Sequence, residues 1–496
     1  MSRRYFFRGA LLAGAVPQAG FGSIPSLARL GFKSPNEKLN LAGIGAGGRA
    51  IPVLRGVQAG VENIVALADV DWARGATGFN HWPKATRYKD YRRMLDKQGR
   101  EIDAVVVATP DHMHATCALA AMQLGKHVYV EKPLTRTVWE ARLLAQAALK
   151  YKVATQMGNQ GYSHDATRVA CEIVWSGEIG EVREVHAWHG MPGWPQGMQK
   201  LPRATPAPET LDWDLWLGGA AWREYSSGDE DYREFVAVNR GKAFGGNASS
   251  TFGFYLPFNW RGFHDFGSGL FGDWGVHVLG PANWALQLSP ESLISVECVS
   301  REGTSPFTYP QKNKVKYEFG ARGSLPPVTV YWSDSVRGDG YLPPGMTAEQ
   351  ARKIPDTGPQ VGPAGRPQGR YNCIMAGSKG YLGTSGRGEG VGLLPGARWA
   401  EYKLPHPYLP RSPGASTSEN GPAHCRDWVR ACKGGDPACS NFNQAAPFTE
   451  WLVLGAVATH YEGKLLWDHA RMAFTNNRDA ARWLKPSFRK GWELSL

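Results

Sequence analysis

Three polar side chains of this sequence have the chemistry to move a proton on and off an alcohol. Lys132 follows the apolar run 128–130, a predicted strand, and open α/β sheets bind ligands at the carboxyl ends of their strands. Its ammonium can donate to a hydroxyl or to a developing alkoxide. Asp273 and His277 are spaced i and i+4, so they share one face of a helix. Histidine titrates in the range useful for a base, and Asp273 can orient it. Together they predict hydride transfer from an alcohol carbon.

The same residue types also admit plainer interpretations. Glu131 and Lys132 precede a proline and can form an ordinary surface ion pair. Asp273 can cap a helix, and His277 can be a satisfied core residue. Asp273, His277 and an acid such as Glu131 can also hold a divalent ion, but a metal site needs more ligands than these. We therefore predict no metal.

A glycine-rich turn near the N-terminus predicts a binding site for the nicotinamide dinucleotide that would exchange the hydride. Gly43-x-Gly45-x-x-Gly48 lies between an apolar strand and a helix-length segment, and a second apolar run ends at Asp69. The glycines permit a tight turn and a close backbone approach to a pyrophosphate at the helix N-terminus. The acid can accept hydrogen bonds from the ribose hydroxyls. Its charge disfavours a 2′-phosphate, so NAD is favoured over NADP.

The elements around these residues alternate between strand and helix. Residues 104–108 form an apolar run, and a helical pattern with a glycine stop occupies residues 111–125. Thr137-x-x-Glu140 is a capping box before the next helix, and residues 153–157 form another strand. This alternation predicts a doubly wound parallel sheet of the Rossmann type.

The amino-acid composition changes after residue 160, where tryptophan, glycine and proline become frequent. Two stretches rich in glycine, proline and polar residues are longer than ordinary connections and are interpreted as insertions. The predicted organisation is a leader at 1–35, a nucleotide-binding domain at 36–160 and a second domain at 161–496, with insertions near 192–250 and 337–370.

Composition excludes some classes of function. The net charge of +12 is spread along the chain, and no basic run interleaved with aromatic residues suggests a nucleic-acid groove. No segment reaches the length of a membrane span. The seven cysteines are odd in number; Cys432 and Cys439 can pair, but core or surface thiols are the favoured interpretation.

Five motifs in order give the chain a family resemblance. They are Gly43–Gly48, Ala68–Asp71, Thr109–His114, Glu131–Pro133 and Gly272–His277. Over about residues 39–490 the chain resembles the glucose–fructose oxidoreductase/inositol dehydrogenase/MocA (Gfo/Idh/MocA) family. The resemblance implies an α/β fold: the Rossmann sheet plus a C-terminal α+β domain with a large, mostly antiparallel open sheet, often used for homo-oligomerisation. Two positions depart from the family pattern: Asp111 replaces a common asparagine, and Gly280 replaces a frequent aspartate.

The motif positions define the candidate site. The predicted catalytic residues are Lys132, His277 and Asp273, with Glu131 holding or polarising Lys132. The predicted cofactor-binding residues are Gly43, Gly45, Gly48, Arg49, Asp69, Thr109, His114, Glu131 and Gln160, of which His114 is expected to support the cofactor loop. The predicted substrate-binding residues are Arg261, Trp260 and Trp188, because sugar rings stack on aromatic faces while their hydroxyls seek polar groups.

The first twenty residues, MSRRYFFRGALLAGAVPQAG, resemble a bacterial twin-arginine export signal. Their apolar part is too short to span a bilayer. This export machinery carries folded proteins, so a periplasmic enzyme could take its cofactor with it. No free nicotinamide pool is maintained there, and we therefore expect the cofactor to be tightly bound and regenerated in place.

Three hypotheses remain open at this stage. The first is an exported NAD(P)-dependent oxidoreductase of sugars, sugar acids or cyclitols. The second is a glycosidase or glycoside lyase in which NAD transiently oxidises a sugar C3 hydroxyl and elimination follows. The third is a non-catalytic carbohydrate-binding protein, which the intact Lys132, Asp273 and His277 disfavour.

Overall fold

The computed structural model describes residues 37–59, 61–190, 194–239, 254–334, 340–353, 358–359, 361, 370–411 and 422–496. The predicted export leader lies outside these residues. The predicted insertions are described only in part.

The first domain contains a six-stranded parallel sheet, in the order β3-β2-β1-β4-β5-β6. Its strands are β1 (Asn40–Ile44), β2 (Asn63–Ala68), β3 (Thr86–Tyr88), β4 (Ala104–Val107), β5 (His127–Val130) and β6 (Thr155–Met157). Its helices are α1 (Ala50–Gln58), α2 (Trp72–His81), α3 (Tyr91–Gln98), α4 (Asp111–Gln123) and α5 (Val138–Tyr151). The central strands β4 and β5 are buried throughout, as their continuous apolar runs require. The predicted doubly wound sheet is confirmed.

The predicted capping box starts α5. The hydroxyl of Thr137 accepts from the Glu140 amide, and the Glu140 carboxylate accepts from the Thr137 amide at 3.0 Å. These two bonds satisfy amides that have no partner inside the helix. They fix the direction in which the chain leaves the loop that carries Lys132.

The second domain contains a nine-stranded sheet, in the order β13-β12-β11-β7-β10-β9-β8-β14-β15. Its strands are β7 (Val182–Trp188), β8 (Leu293–Glu302), β9 (Lys312–Phe319), β10 (Val328–Asp334), β11 (Tyr371–Gly377), β12 (Gly380–Ser385), β13 (Val391–Leu394), β14 (Lys464–Asp468) and β15 (Ala473–Phe474). All neighbours are antiparallel except β7 and β10. The mostly antiparallel sheet expected from the resemblance is therefore confirmed.

Nine further helices accompany this sheet among the described residues. They are α6 (Asp165–Trp175), α7 (Trp213–Leu217), α8 (Asp229–Asn239), α9 (Val276–Val278), α10 (Gly280–Ala285), α11 (Ala348–Arg352), α12 (Gly396–Ala400), α13 (Pro422–Cys432) and α14 (Phe442–Ala458). Helix α14 packs on α5 of the first domain and on β8 and β9 of the second. One continuous apolar core therefore joins the two domains.

The chain returns to the nucleotide-binding domain near its end. Trp428 and Val429 of α13 are buried in one cluster with Val53 and Leu54 of α1. The buried carboxylate of Glu62 accepts from the Lys433 ammonium at 2.9 Å. Sequence analysis predicts a second domain that runs unbroken from residue 161, whereas part of it completes the first domain.

The cysteines do not form a disulfide framework. All seven are free thiols, and the suggested pair Cys432–Cys439 is not formed. Cys432 is the last residue of α13 and is buried in the cluster that this helix forms with α1, while the Cys439 sulfur contacts the Ser163 hydroxyl at 3.3 Å. In the part of the chain that the structure describes, no helix combines the length and apolarity needed to cross a membrane.

Buried histidines predict that the fold loses stability in mild acid. Burial lowers the pKa of five of them from 6.5 to about 3 or 4: His112, His127, His189, His424 and His460. The unfolded chain takes up protons below pH 6.5 while the native state does not, so stability falls between pH 6.5 and 4. For each such histidine, a tenfold weaker proton affinity in the native state corresponds to about 1.4 kcal/mol.

Three buried carboxylates oppose this loss in part, because burial raises the pKa values of Asp69, Asp111 and Glu140. Five histidines should still dominate. Urea unfolding at pH 7, 5.5 and 4.5 measures the effect. An unfolding free energy that stays constant or rises as the pH is lowered across this range would contradict the prediction.

Candidate active site

A cavity of about 490 Å³ lies at the carboxyl ends of β1, β4 and β5. One wall is formed by the glycine-rich turn and by Thr109 at the end of β4. Lys132 also lines the cavity, as do Asp273 and His277 of the second domain. The two domains therefore meet at the edge where parallel sheets bind ligands.

The glycine-rich turn needs glycines because of its backbone angles and because it packs closely against neighbouring parts of the chain. Gly45 and Gly48 have φ angles of 88° and 58°, which disfavour other residues. A Cβ on Gly45 would lie 2.7 Å from the Ala108 carbonyl oxygen. Gly43 lies inside β1 instead, where a Cβ would meet the Leu67 side chain at 2.9 Å. Its role is strand packing, and it does not line the cavity, unlike the cofactor contact predicted for it.

Asp69 lies at the end of β2 and lines the cavity. Its carboxylate accepts from the amides of Ala46 at 2.8 Å and Asp71 at 3.0 Å. Burial outweighs these bonds and raises its pKa to about 6. Asp69 thus ties the glycine-rich turn to the end of β2, at the position predicted to meet a ribose.

The Glu131 carboxylate binds Arg49 and Gln160 rather than the Lys132 ammonium. Arg49 Nε donates to its carboxylate at 3.1 Å, and Gln160 Nε2 donates at 3.4 Å. Lys132 contacts Glu131 only through its backbone amide, at 3.3 Å. Sequence analysis predicts that Glu131 holds the Lys132 ammonium; the structure instead joins Glu131 to the helix-start residue Arg49.

The Lys132 ammonium is held by Asp273. Its Nζ donates to Asp273 Oδ1 and also to the Asp273 carbonyl oxygen, the latter at 3.0 Å. Arg261 Nε donates to the same Oδ1 at 3.3 Å. Burial alone would raise the pKa of Asp273, but the charges of Lys132 and Arg261 outweigh it and hold that pKa below its usual range. The carboxylate therefore stays ionised beside the Lys132 ammonium.

His277 is buried beside these charges. Burial, followed by the charges of Lys132 and Arg387, lowers its pKa well below 6.5. Its Nδ1 makes no hydrogen bond to any residue that the structure describes. The imidazole is therefore neutral and able to accept a proton from a group in the cavity.

The segment carrying Asp273 and His277 is not the single α-helix that their spacing suggests. Phe271–Gly275 forms a π-helical turn, and α9 follows it. Such turns insert one residue into the helical ladder and often occur at functional sites. Both side chains nevertheless line the cavity.

Two of the three predicted substrate contacts reach the cavity. Trp260 and Arg261 line it, with the guanidinium 4.2 Å from the centre of the indole ring. Trp188 does not: it is 5% exposed and packs with Tyr371 and Ile374. Trp188 therefore belongs to the core, which corrects its predicted contact with substrate.

His114 supports the site from behind. Its ring nitrogens lie 2.7 Å from the Pro133 carbonyl oxygen and 2.9 Å from that of Thr109. It does not line the cavity, and it joins the ends of two neighbouring strands. The unusual Asp111 is also buried, and its carboxylate accepts from the Ser268 amide at 3.1 Å and hydroxyl at 2.8 Å.

Sequence analysis does not find the part of the first insertion that closes one end of the cavity. We call residues 210–218 the insertion strap. The Trp72 amide donates to the Thr210 carbonyl at 3.0 Å, directly after β2. Trp216 of the strap lines the cavity, as does Trp492 from the C-terminal segment. Arg489 Nη1 donates to Asp214 of the strap at 2.6 Å, which joins the two.

Two further lining residues carry no motif in the sequence. Trp274 and Arg387 line the cavity, and the guanidinium lies 4.6 Å from the centre of the indole ring. Arg387 comes from the turn between β12 and β13, more than 100 residues after Trp274. Across the described ranges, no three His, Cys, Asp or Glu side chains are grouped as metal ligands.

The first domain is similar in sequence to a known family of proteins. Residues 39–159 match the sequence model described as "Oxidoreductase family, NAD-binding Rossmann fold", of the Gfo/Idh/MocA group. A dTDP-3,4-didehydro-2,6-dideoxy-alpha-D-glucose 3-reductase of Saccharopolyspora spinosa is 36% identical over 27% of this chain and 39% of its own. A glycosyl hydrolase family 109 protein of Solibacter usitatus is 33% identical over 36% of this chain and 44% of its own. The chain thus spans less than half the length of these curated relatives.

Solved structures share the fold over most of the chain. An inositol dehydrogenase homologue from Azotobacter vinelandii, complexed with NADH and myo-inositol, covers 88% of this chain and 100% of its own, with a TM-score of 0.52 and 17% identity. The WlbA dehydrogenase from Bordetella pertussis covers 87% and 99%, with a TM-score of 0.56 and 13% identity. At such identities the likeness shows the fold alone. Residues 39–159 of the chain are therefore similar to the NAD-binding Rossmann domain of the Gfo/Idh/MocA oxidoreductase family.

Proposed function

We propose that the chain is an NAD(P)-dependent oxidoreductase that transfers hydride between a nicotinamide cofactor and a hydroxyl of a sugar, sugar acid or cyclitol. The observation that carries this proposal is the Lys132–Asp273 pair beside a neutral His277, in a cavity that also contains the glycine-rich turn. The partial relatives named as a sugar-nucleotide reductase and, from Salmonella typhimurium at 28% identity over 31% of this chain, as an inositol 2-dehydrogenase support the substrate class.

The residues present fit a dinucleotide. Gly45 and Gly48 line the cavity at the turn where a pyrophosphate would lie, and Asp69 lines it where a ribose would follow. A bound nicotinamide supplies the hydride acceptor or donor. NAD is the proposed form because Asp69 would repel a 2′-phosphate, whereas the guanidinium of Arg74, which also lines the cavity, keeps NADP as the alternative.

The proton chemistry belongs to the side chains. During oxidation, His277 takes the proton of the substrate hydroxyl, because its imidazole is neutral and faces the cavity. The Lys132 ammonium stabilises the developing alkoxide oxygen. Asp273 fixes the position of Lys132 through two hydrogen bonds. During reduction, the same groups return the proton.

Export and a tightly held cofactor form part of the proposal. The leader resembling a twin-arginine signal supports a periplasmic location, and such a location favours a cofactor that does not leave. The insertion strap and Trp492 support tight binding, because both cover the cavity next to the end of β2. The exposed apolar residues Ile294 and Val299 of β8 support a homo-oligomer, which sedimentation equilibrium tests.

Trp492→Ala should shorten the lifetime of bound cofactor. Removing the indole opens the strap end of the cavity, and we expect release about 10-fold faster, equivalent to about 1.4 kcal/mol. The measurement is the nucleotide retained per protein after timed dialysis. Trp175→Ala is the matched control, since Trp175 packs against the main core and does not line the cavity. Equal retention in both variants and the parent would contradict a covering role for Trp492.

A second candidate function is an NAD-dependent glycosidase or glycoside lyase that acts by transient C3 oxidation and elimination. The match to a glycosyl hydrolase family 109 protein over 198 residues favours it. The same Lys132 and His277 would serve its oxidation step. The third hypothesis, a non-catalytic carbohydrate-binding protein, is disfavoured because such a protein would not need Lys132, Asp273 and His277 together in one cavity.

One experiment separates the candidates. The protein, isolated with its cofactor, is mixed with a panel of sugars, sugar acids, cyclitols and aryl glycosides, and absorbance at 340 nm is followed together with aglycone release. A lasting change in absorbance supports the oxidoreductase. Aglycone release without net absorbance change supports the glycosidase. Neither signal with any compound would count against both enzymes.

A further inference from the structure

The start of helix α4 in the first domain is bonded to the segment that leads to Asp273 in the second. The Asp111 carboxylate accepts from the Ser268 amide at 3.1 Å and from the Ser268 hydroxyl at 2.8 Å. Beside it, the His112 amide donates to the Phe266 carbonyl at 3.1 Å. Among the described residues, Asp111 is the only hydrogen-bond partner of the Ser268 hydroxyl. A side chain of the first domain therefore holds Ser268 in place.

Ser268 lies where the helical segment that carries Asp273 begins. Helical backbone starts at the next residue, Gly269, and the Gly272 amide donates to the Ser268 carbonyl at 3.5 Å. Asp273 follows Gly272 directly. A shift of Ser268 would therefore move Asp273 with it.

Gly272 also packs tightly against the first domain. A Cβ on Gly272 would lie 1.9 Å from the Ser268 hydroxyl oxygen and 2.8 Å from Cγ of Pro133, so both contacts require a residue without a side chain. Pro133 in turn follows Lys132 directly. We call four residues the interdomain joint: Asp111, Pro133, Ser268 and Gly272. This joint lies next to both members of the ion pair between Lys132 and Asp273.

We propose that Asp111 is a positioning residue, which keeps the Lys132 ammonium in contact with the Asp273 carboxylate by fixing Ser268. The inference rests on the proposed function, in which this contact places the ammonium at the alkoxide oxygen. Asp111 needs no bond to the substrate for this role, because it acts through the interdomain joint.

Two substitutions loosen the interdomain joint in independent ways. Asp111→Ala removes the acceptor, and Gly272→Ala forces the Ser268 hydroxyl away from Pro133. Each should lower kcat about 10–100-fold, because a catalytic group is misplaced, and the loss should exceed any change in NAD affinity. Asp111→Asn keeps an oxygen that can accept from the Ser268 amide and hydroxyl, and it should retain most of the parental kcat.

Two controls carry comparable changes outside the interdomain joint. Asp427→Ala also removes a buried carboxylate that ties two segments together, because Asp427 accepts from the Cys439 amide at 2.7 Å without lining the cavity. Gly320→Ala adds a Cβ whose nearest neighbour would lie 3.6 Å away. Both should keep the parental kcat, even where the urea midpoint shows a loss of stability.

A double substitution separates positioning from a general loss of structure. If Asp111 acts through Lys132, adding Asp111→Ala to Lys132→Met should cost no further turnover, whereas independent losses would multiply. Crystal structures of the full-length, NAD-loaded parent and Asp111→Ala proteins give a readout that does not depend on turnover. In the variant, the Lys132 ammonium should no longer contact Asp273. Ser268→Ala, which removes one of the two hydrogen bonds, replaces Asp111→Ala in every comparison if that variant does not fold.

Three results would overturn the inference. They are a parental kcat in Asp111→Ala, losses that multiply in the double variant, and an intact contact between Lys132 and Asp273 in the Asp111→Ala structure. The proposed function fails separately, if the parent converts no compound. The two crystal structures then still decide whether Asp111 holds the ion pair.

Discussion

Lys132→Met is expected to lower kcat by on the order of 10²–10³, the range for removing one donor that stabilises a developing oxyanion. The ammonium is the donor that the proposal assigns to the alkoxide, and methionine keeps the length of the side chain without its charge. Asp273 would still be paired with Arg261, so the site should not collapse. Steady-state turnover with a substrate identified by absorbance gives the effect.

The cofactor affinity of Lys132→Met should change little, because Lys132 does not contact the glycine-rich turn. Lys485→Met is a matched control: Lys485 also lies near an indole, 4.3 Å from the centre of the Trp139 ring, but outside the cavity. Parental turnover in Lys132→Met would remove Lys132 from the mechanism. A loss of turnover fully explained by weaker NAD binding would have the same consequence.

His277→Ala should reduce turnover by a similar factor, on the order of 10²–10⁴. Because the pKa of His277 is lowered, the parental kcat/KM should be independent of pH above 6.5 and fall only at lower pH, where the base becomes protonated. That acidic limb should disappear in the variant. Added imidazole should restore part of the rate by occupying the vacated space.

His406→Ala serves as the comparison, because His406 is exposed and does not line the cavity. The urea midpoints of both variants show whether the loss of a buried ring has affected folding. A His277→Ala enzyme with parental activity, or one that keeps the acidic limb, would assign the base to another residue.

The nucleotide half of the site follows from local sequence. A turn that needs positive φ angles selects Gly45 and Gly48, and a strand end with an acid gives Asp69. The capping box formed by Thr137 and by Glu140, three residues later, marks the start of α5. These features depend on neighbours in the chain, and the sequence therefore predicts them.

The substrate half depends on contacts between distant segments. Lys132 and Asp273 are 141 residues apart, and neither sequence position reveals that one holds the other. Arg387 reaches the cavity only because the turn between β12 and β13 lies beside Trp274. The π-helical turn at Phe271–Gly275 has the same i, i+4 spacing of polar residues as an α-helix, so spacing alone cannot distinguish the two.

Tryptophan content predicts stacking surfaces but not their position. Trp260 and Trp188 are both predicted to contact substrate, and only Trp260 lines the cavity. Trp188 lies at the end of a strand, where an indole packs between sheet and loop as readily as it contacts a ligand. The return of α13 to the first domain is likewise decided by packing against α1 rather than by any boundary in the sequence.

Hydride transfer to the bound nicotinamide tests the central claim most directly. A sugar that changes the absorbance of the cofactor is prepared with deuterium on its carbinol carbons, mixed with the enzyme for a single turnover, and the nucleotide is released for mass spectrometry. We expect one deuterium on the nicotinamide ring in the parent and, over the same interval, almost none in Lys132→Met or His277→Ala. Cofactor that stays unlabelled while the sugar is converted would contradict hydride transfer.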